Sequence, residues 1–361
     1  MRIGIDAREV CGKPTGVGRH LAGLLGAWDA DGHAARHTFV LFAHKEPAIA
    51  LPANADVRVL PGAGGTAWEQ TTLYRAAKGD RLDVFFSPGY TAPLRLSVPT
   101  VVVIHDLSFV SHPEWFRTRE GLRRRLFTKW AAMRAKTILA VSETARREIL
   151  DAFNLPPERV RCIYPGITAL APPNGADGDR EPLVLFVGSI FNRRHVPDLI
   201  EAFARIHRNH GEARLEIVGD NRTYPQQQLA SIAAAEGLQD AVSIRSYVPD
   251  EKLADLYRRA RAFAFLSEYE GFGHPPLEAL SSGVPGVLID TPVAREVCVD
   301  AAVYVRCQLS AIAGALDDLL FHQATRARVL EAAPRVLARY SWAQAARRTL
   351  EILEQAATAR D

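Results

Sequence analysis

Long apolar runs are missing from this 361-residue sequence. Its strongest stretches, Val101 to Ile104 and Leu183 to Val187, fall far short of the roughly 20 residues that a membrane-spanning helix needs. The opening Met-Arg-Ile-Gly-Ile-Asp lacks the apolar core and small-residue cleavage site of a secretory leader, so the expectation is a cytoplasmic chain. Cysteine is scarce and scattered. The nearest pair among Cys11, Cys162, Cys298 and Cys307 is separated by eight residues, which offers neither a disulfide framework nor a metal-ligand motif. A dominant charge of one sign is also absent: the net charge is +3, and no nucleic-acid partner is expected. The charge is unevenly spread, with 23 Lys and Arg against 16 Asp and Glu up to Leu170 and 21 against 25 beyond it. The first half is the basic one.

The remaining composition, 48% hydrophobic and 24% charged, is that of an ordinary globular protein, and the length suits two domains. Apolar runs that read as strands alternate with helix-length segments: Arg2 to Ile5, His37 to Ala43, Val57 to Leu60, Val84 to Ser87, Thr100 to His105 and Thr137 to Val141. A Gly-rich turn (Gly12, Gly16, Gly18) and a helix through Leu21, Leu24 and Leu25 follow the first of them. The stretch 169–182 is rich in Pro, Gly and Asp and reads as a linker. Alternation then resumes with strands at Leu183 to Val187, Arg214 to Val218, Val242 to Ile244, Ala262 to Leu266, Val284 to Ile289 and Ala302 to Val305. Ala324 to Thr358 reads as helices only. The expected fold class is α/β: Rossmann-like doubly wound domains at 1–168 and 183–340 facing each other across a cleft, with a C-terminal helix at 341–361 packing back on the first.

The most informative stretch runs from Ser267 to Pro285, Ser-Glu-Tyr-Glu-Gly-Phe-Gly-His-Pro-Pro-Leu-Glu-Ala-Leu-Ser-Ser-Gly-Val-Pro. Gly271 and Gly273 permit tight turns, and Pro275 and Pro276 suit a helix entry, where Pro costs no hydrogen bond. With seven residues between them, Glu270 is expected in the loop and Glu278 on the opening turn of the helix. Amides at such a terminus favour a phosphate, and a nearby carboxylate can accept hydrogen bonds from sugar hydroxyls. This pattern describes a nucleotide-sugar site.

Glu270 to Glu278 resembles the Glu-x7-Glu motif of the family 4 retaining glycosyltransferases, which have the GT-B fold, in their mannosyltransferase-like group 1 branch. Similar words recur along the chain: Gly4-Ile-Asp-Ala-Arg8, Thr15-Gly-Val-Gly-Arg19, Ile104-His-Asp-Leu-Ser108, His112-Pro-Glu-Trp115, Val141-Ser-Glu-Thr144, Pro165-Gly-Ile167, Phe186-Val-Gly188 with Asn192-Arg-Arg194, Ile217-Val-Gly219 and Tyr247-Val-Pro249. The resemblance implies transfer of a hexose, mannose by its branch, from a GDP- or UDP-sugar to a polysaccharide, oligosaccharide or lipid-linked acceptor, with retained anomeric configuration and no metal or other cofactor. It implies that Glu278 holds the ribose and that Glu270, His105 and Asp106 lie at the reacting sugar. Arg194, preceded by Arg193, stands where the family has a diphosphate-binding Lys. An Arg fork keeps the charge but changes the geometry. Gly188, Gly219, Gly271, Phe272 and Gly273 complete the donor side, and Gly16, Val17, Gly18 and Arg19 form an acceptor-side loop.

The sequence departs from the family at Ser189, Ser246 and Gly286, which bears on nucleotide identity and diphosphate geometry. Asp29-Ala-Asp31 spells Asp-x-Asp but has no other ligands nearby, and no metal site is expected there. Segment 117–136 carries eight basic residues and a single Glu120, with Leu122, Leu126, Phe127, Trp130 and Met133 at helical spacing. It admits two readings: peripheral contact with the inner face of a membrane, or a core-packed helix with a solvated basic face. Rival functions are a GT-B epimerase or phosphorylase, and a non-catalytic module that binds a nucleotide sugar.

Overall fold

The computed structural model describes residues 1–12, 16–53, 55–171 and 180–358. Thr15 and most of the stretch read as a linker, residues 172–179, lie outside them. The chain divides into two compact units, Met1–Gly166 with Tyr340–Asp361, and Ile167–Arg339.

The first unit is built on seven strands: β1 (Arg2–Asp6), β2 (Thr38–Ala43), β3 (Ala55–Val59), β4 (Val84–Ser87), β5 (Thr100–Ile104), β6 (Thr137–Ala140) and β7 (Val160–Cys162). They pair in the order β3-β2-β1-β4-β5-β6-β7, every pair parallel. Helical crossovers cover both faces of such a sheet, which is why β2 and β4 read as unbroken apolar runs and are buried almost throughout. The three-residue β7 escapes sequence reading because its centre, Arg161, is exposed.

The helix Trp342–Thr358 belongs to this unit and packs against the helix Gly16–Ala30. Trp342 fits where two glycines leave room: a Cβ on Gly23 would come within 2.5 Å of its indole and one on Gly166 within 2.3 Å. Trp28 Nε1 donates to the carbonyl of Ala346 at 2.8 Å, so the contact is hydrogen-bonded as well as apolar.

The second unit has six strands, β8 (Glu181–Val187), β9 (Arg214–Val218), β10 (Val242–Arg245), β11 (Ala260–Phe265), β12 (Gly286–Ile289) and β13 (Val303–Val305). Their order, β10-β9-β8-β11-β12-β13, is again parallel throughout and is the 3-2-1-4-5-6 order of a dinucleotide-binding sheet. In each unit the order reverses once, between β1 and β4 and between β8 and β11.

Two expectations are corrected here. Gly16, Val17, Gly18 and Arg19 do not form a loop; they are the first turn of the helix Gly16–Ala30. First-turn amides have no partner inside a helix, so glycine costs less there than mid-helix. The other correction concerns the helix carrying Glu278, which starts at His274 rather than near Pro276. Gly273 takes the left-handed conformation (φ 90°) that turns the chain into it.

Candidate active site

Open parallel sheets bind ligands at the carboxyl ends of the strands where the order reverses. In the second unit that place lies between the loop after β8 and the loop after β11, and three residue pairs join the loops. Arg194 donates from Nε to Glu270 Oε1 at 2.9 Å, with its Nη2 2.7 Å from the same oxygen. The Glu268 amide donates to the Arg193 carbonyl at 3.0 Å. His195 Nε2 lies 3.3 Å from Glu268 Oε2 and its Nδ1 3.0 Å from Asp198 Oδ2. Cys307 completes a cluster of ligand-type atoms, all within 4.8 Å, with His195 and Asp198.

Arg194 is buried at 9% exposure, and its Nη1 also donates to the Ser189 carbonyl at 2.7 Å. Each of its three nitrogens thus has a partner within the protein, Nε and Nη2 at Glu270 and Nη1 at Ser189. The guanidinium lies over the Phe265 ring at 4.8 Å, while Arg193 lies over Phe191 at 4.5 Å. Glu270 Oε1 also accepts from Ser267 Oγ at 2.9 Å, which fixes the carboxylate from a second side. Neither Ser267 nor Phe191 is singled out by sequence reasoning, since only the fold brings them beside Arg194 and Glu270.

Two glycines let the chain pack closely beside Arg194. A Cβ on Gly219 would fall 1.9 Å from the Gly188 carbonyl oxygen, and one on Gly188 (φ 138°) 2.7 Å from Arg194 Nη1, so neither position has room for a side chain.

Glu278 is buried at 7% exposure and is the fifth residue of the helix His274–Ser281, so it sits on the second turn, not the first. The early start also changes the electrostatics of the terminus. Pro275 and Pro276 are the second and third residues and lack N–H groups, which removes two of the four amides a helix end normally offers an anion. Arg194 must carry more of any phosphate charge than the helix terminus does. Phe272 is buried against His274, with ring centroids 5.0 Å apart. Behind the loop, Phe265, Leu288, Val293 and Val297 line a space of only about 20 Å³. That is roughly the room one water takes, too small for a nucleobase.

In the first unit His105 follows β5 at the same kind of edge. Its Nε2 lies 2.7 Å from the Pro88 carbonyl, so Nε2 carries the hydrogen and Nδ1 is the acceptor when the ring is neutral. Burial lowers its pKa below the usual imidazole value, against the raising effects of the Pro88 carbonyl and Asp106, and this favours the neutral ring. His20 packs edge-on to it at 5.2 Å and Tyr90 at 5.7 Å. Asp106 is fully occupied: Oδ1 accepts from the Ser108 amide (2.8 Å) and hydroxyl (2.6 Å), and Oδ2 from Tyr90 Oη (2.8 Å). It holds Tyr90, whose backbone is left-handed at φ 56°. Val17 meets this loop, since a Cβ on Gly89 would lie 3.0 Å from Val17 Cγ1, while Gly16 and Arg19 face outward and Gly18 is buried.

Sequence reasoning misses a buried ion-pair network at the β1/β4 reversal. Arg8 Nη2 lies 2.6 Å from Asp6 Oδ2 and 2.9 Å from Glu69 Oε2, which also accepts from Thr91 Oγ1 at 2.8 Å. Burial alone would lower the Arg8 pKa, but the two carboxylates override it and hold the guanidinium above its ordinary value. Burial raises Glu69, and Arg8 only partly offsets the shift. Glu69 opens a π-helical turn, Glu69–Leu73, within the helical segment 66–79. Arg8 and Glu69 are 61 positions apart, so no local pattern announces the pair.

Two family profiles match the chain in succession, one described as Glycosyltransferase Family 4 over residues 14–169 and one as Glycosyl transferases group 1 over residues 171–336. Among curated relatives, O-antigen chain mannosyltransferase B of Escherichia coli is 28% identical over 235 residues, covering 61% of this chain and 60% of that protein. O-antigen chain mannosyltransferase RfbU of Salmonella typhimurium is 27% identical, covering 56% of each. The matched stretch thus spans less than two thirds of either relative. Sucrose-phosphate synthase from Thermosynechococcus elongatus superposes with a TM-score of 0.81 at 18% identity, over 99% of this chain and 100% of that one. HepE from Anabaena, solved in complex with UDP and glucose, gives 0.76 at 18% identity over 98% and 100%. With successive family profiles over both units and the same fold in these solved structures, the chain belongs to the family 4 glycosyltransferases of the GT-B fold.

Proposed function

We propose that the protein is a retaining glycosyltransferase that moves a hexose, with mannose the leading candidate, from a nucleotide-diphosphate sugar to a polysaccharide, oligosaccharide or lipid-linked acceptor. The observation that carries the reading is Arg194: a buried cation at the reversal of the second sheet, held by Glu270 and the Ser189 carbonyl and packed beside Gly188. The mannosyltransferase names of two relatives support the sugar, and HepE's complex with UDP and glucose supports a nucleotide-linked donor.

In this reaction the bond between the anomeric carbon and the diphosphate oxygen breaks as the acceptor oxygen bonds to that carbon on the same face. The acceptor proton passes to the departing phosphate oxygen, and a nucleoside diphosphate leaves. Charge grows on the diphosphate in the transition state, so the fixed Arg194 cation lowers the barrier without having to reorganise. Glu270, pinned by Arg194 and Ser267, is placed to accept hydrogen bonds from the transferred sugar. Glu278 is assigned to the ribose and neutral His105 to a sugar hydroxyl through its acceptor Nδ1. No metal ion is needed in this scheme, so EDTA should leave the rate unchanged.

Thermal melting with UDP, GDP, ADP and dTDP tests the donor site, because a ligand that binds only the folded state raises the melting temperature. One nucleotide should stand out, and its hexose conjugate should then yield a product whose anomeric configuration matches the donor. If none of the four shifts the transition, the reading fails. Turnover of the nucleotide sugar without acceptor would favour an epimerase, a requirement for free phosphate would favour a phosphorylase, and binding without turnover would favour a non-catalytic module.

A further inference from the structure

The helix Thr118–Arg134 packs the wrong way round for its composition. Its buried residues are small, Gly121, Thr128, Ala131 and Ala132, while its large apolar residues face outward: Leu122 is 53% exposed, Leu126 38%, Trp130 45% and Met133 53%. The helix does pack on the core, as one of the two readings of 117–136 has it, but through these small residues, while Phe127 is half-buried. The small residues let the helix backbone sit close to the sheet, and the apolar stripe is left with no core to enter. Among the described residues these four make up half of the exposed large hydrophobics of the whole chain, so the stripe is a concentrated patch rather than scattered surface.

At about 100° per residue the four fall within roughly 80° of arc, nearly opposite the buried face, and extend about 16 Å along the axis. Exposed Arg119, Arg123 and Lys129 lie within or beside that arc. At the far end of the helix a groove of about 500 Å³ begins at Met133 and is lined by Arg134, Lys136 and Arg159 with no carboxylate. Arg159 is fixed there by donating to the carbonyls of Ala132 and Met133 at 3.1 and 3.2 Å.

We propose that this helix lies flat on an anionic phospholipid bilayer, with Leu122, Leu126, Trp130 and Met133 entering the acyl boundary and the flanking cations and the groove meeting lipid phosphates. The charge pattern selects this occupant. A second copy docked on the same stripe would bring Arg119, Arg123 and Lys129 against their own counterparts, whereas an anionic surface neutralises all of them. Such docking would bring the enzyme to a lipid-linked acceptor, but it does not depend on the donor reading.

The test is flotation of the full chain with vesicles of phosphatidylcholine, with and without phosphatidylglycerol. Binding is expected only with phosphatidylglycerol, should weaken as salt rises, and should shift Trp130 fluorescence to the blue. The double variant Leu126→Ser with Trp130→Ser should lower the partition coefficient about tenfold or more, since both side chains lose apolar area that the bilayer would cover. Lys129→Glu should weaken binding through charge alone. Melting temperature and nucleotide-induced stabilisation should stay at wild-type values in these variants, which separates a failure of docking from a failure of the donor site. Absence of binding to phosphatidylglycerol vesicles at low salt, binding indifferent to the double variant, or a wild-type dimer that the double variant dissolves would each overturn the proposal.

Discussion

Both sheets reverse their strand order once, and an acid-paired arginine stands at each reversal, half-buried Arg8 in the first unit and buried Arg194 in the second. The surroundings differ. Arg8 lies between two carboxylates, Asp6 and Glu69, at side-chain exposures of 4% and 2%, and its bonds are spent inside the protein. Arg194 meets a single carboxylate and one backbone carbonyl, with Gly188 beside it. The arginine with two acidic partners is balanced within the protein, and the one with a single acidic partner is the one the proposed function assigns to the donor diphosphate.

The largest effect is expected where the pairing is closed. Arg8→Met leaves Asp6 and Glu69 buried without their cation and should cost about 3–5 kcal/mol of stability, read from urea unfolding. Adding Glu69→Gln should recover part of the loss, because one of the stranded charges goes with it. A single-variant loss below about 1 kcal/mol, the scale of an exposed pair, would show that the network is solvated and that the contrast with Arg194 is not real.

Arg194→Ala is expected to act on activity more than on fold, because Ser267 still holds Glu270 when the cation has gone. Transfer should fall about a hundred- to a thousandfold, the scale of removing one preorganised donor from a developing oxyanion, and nucleotide-induced stabilisation should shrink with it. Arg194→Lys should fall between, keeping the charge and losing the fork. A variant that melts like wild type and still turns over at the wild-type rate would remove Arg194 from the site.

The fold was legible because buried parallel strands leave unbroken apolar runs, and the Glu270-to-Glu278 stretch was legible because its Gly and Pro residues constrain the backbone locally. What escaped was set by tertiary geometry. The period of the segment 117–136 announces an apolar face, but only packing decides that Gly121 and Ala132 go inward and Trp130 outward. The left-handed Tyr90 and the Arg8–Glu69 pair depend on neighbours far along the chain. Glu278 moved from the first helical turn to the second because Gly273, not the prolines, starts the helix.

His105 gives a pH signature of its own. Its folded-state pKa lies below the usual value near 6.5, so the unfolded chain binds the proton more readily. Stability from this group is present above pH 6.5 and is lost as the pH falls through the folded-state value, with a slope of at most about 1.4 kcal/mol per pH unit. The neighbours facing it are His20, Tyr90 and Asp106. His105→Gln should flatten the fall in melting temperature between pH 6.5 and 5, and a His20→Gln control should retain the part that belongs to His105. An unchanged slope in His105→Gln would mean that its ring is protonated as readily in the fold as in water.

The smallest effect belongs to Asp106, which shares the strand edge with His105 but has its oxygens committed to Ser108 and Tyr90. Asp106→Asn keeps the shape and an acceptor oxygen while presenting an NH₂ group where one of two donors now points. A loss of about 1 kcal/mol of stability is expected, the cost of weakening a charge-assisted hydrogen bond. If its role is to position Tyr90 beside His105, kcat/KM should drop less than about tenfold and the shape of its pH profile should not change. A drop as deep as that of Arg194→Ala, or loss of one limb of the profile, would instead place Asp106 in contact with the reacting sugar, and each unit would then supply a charged group to the chemistry.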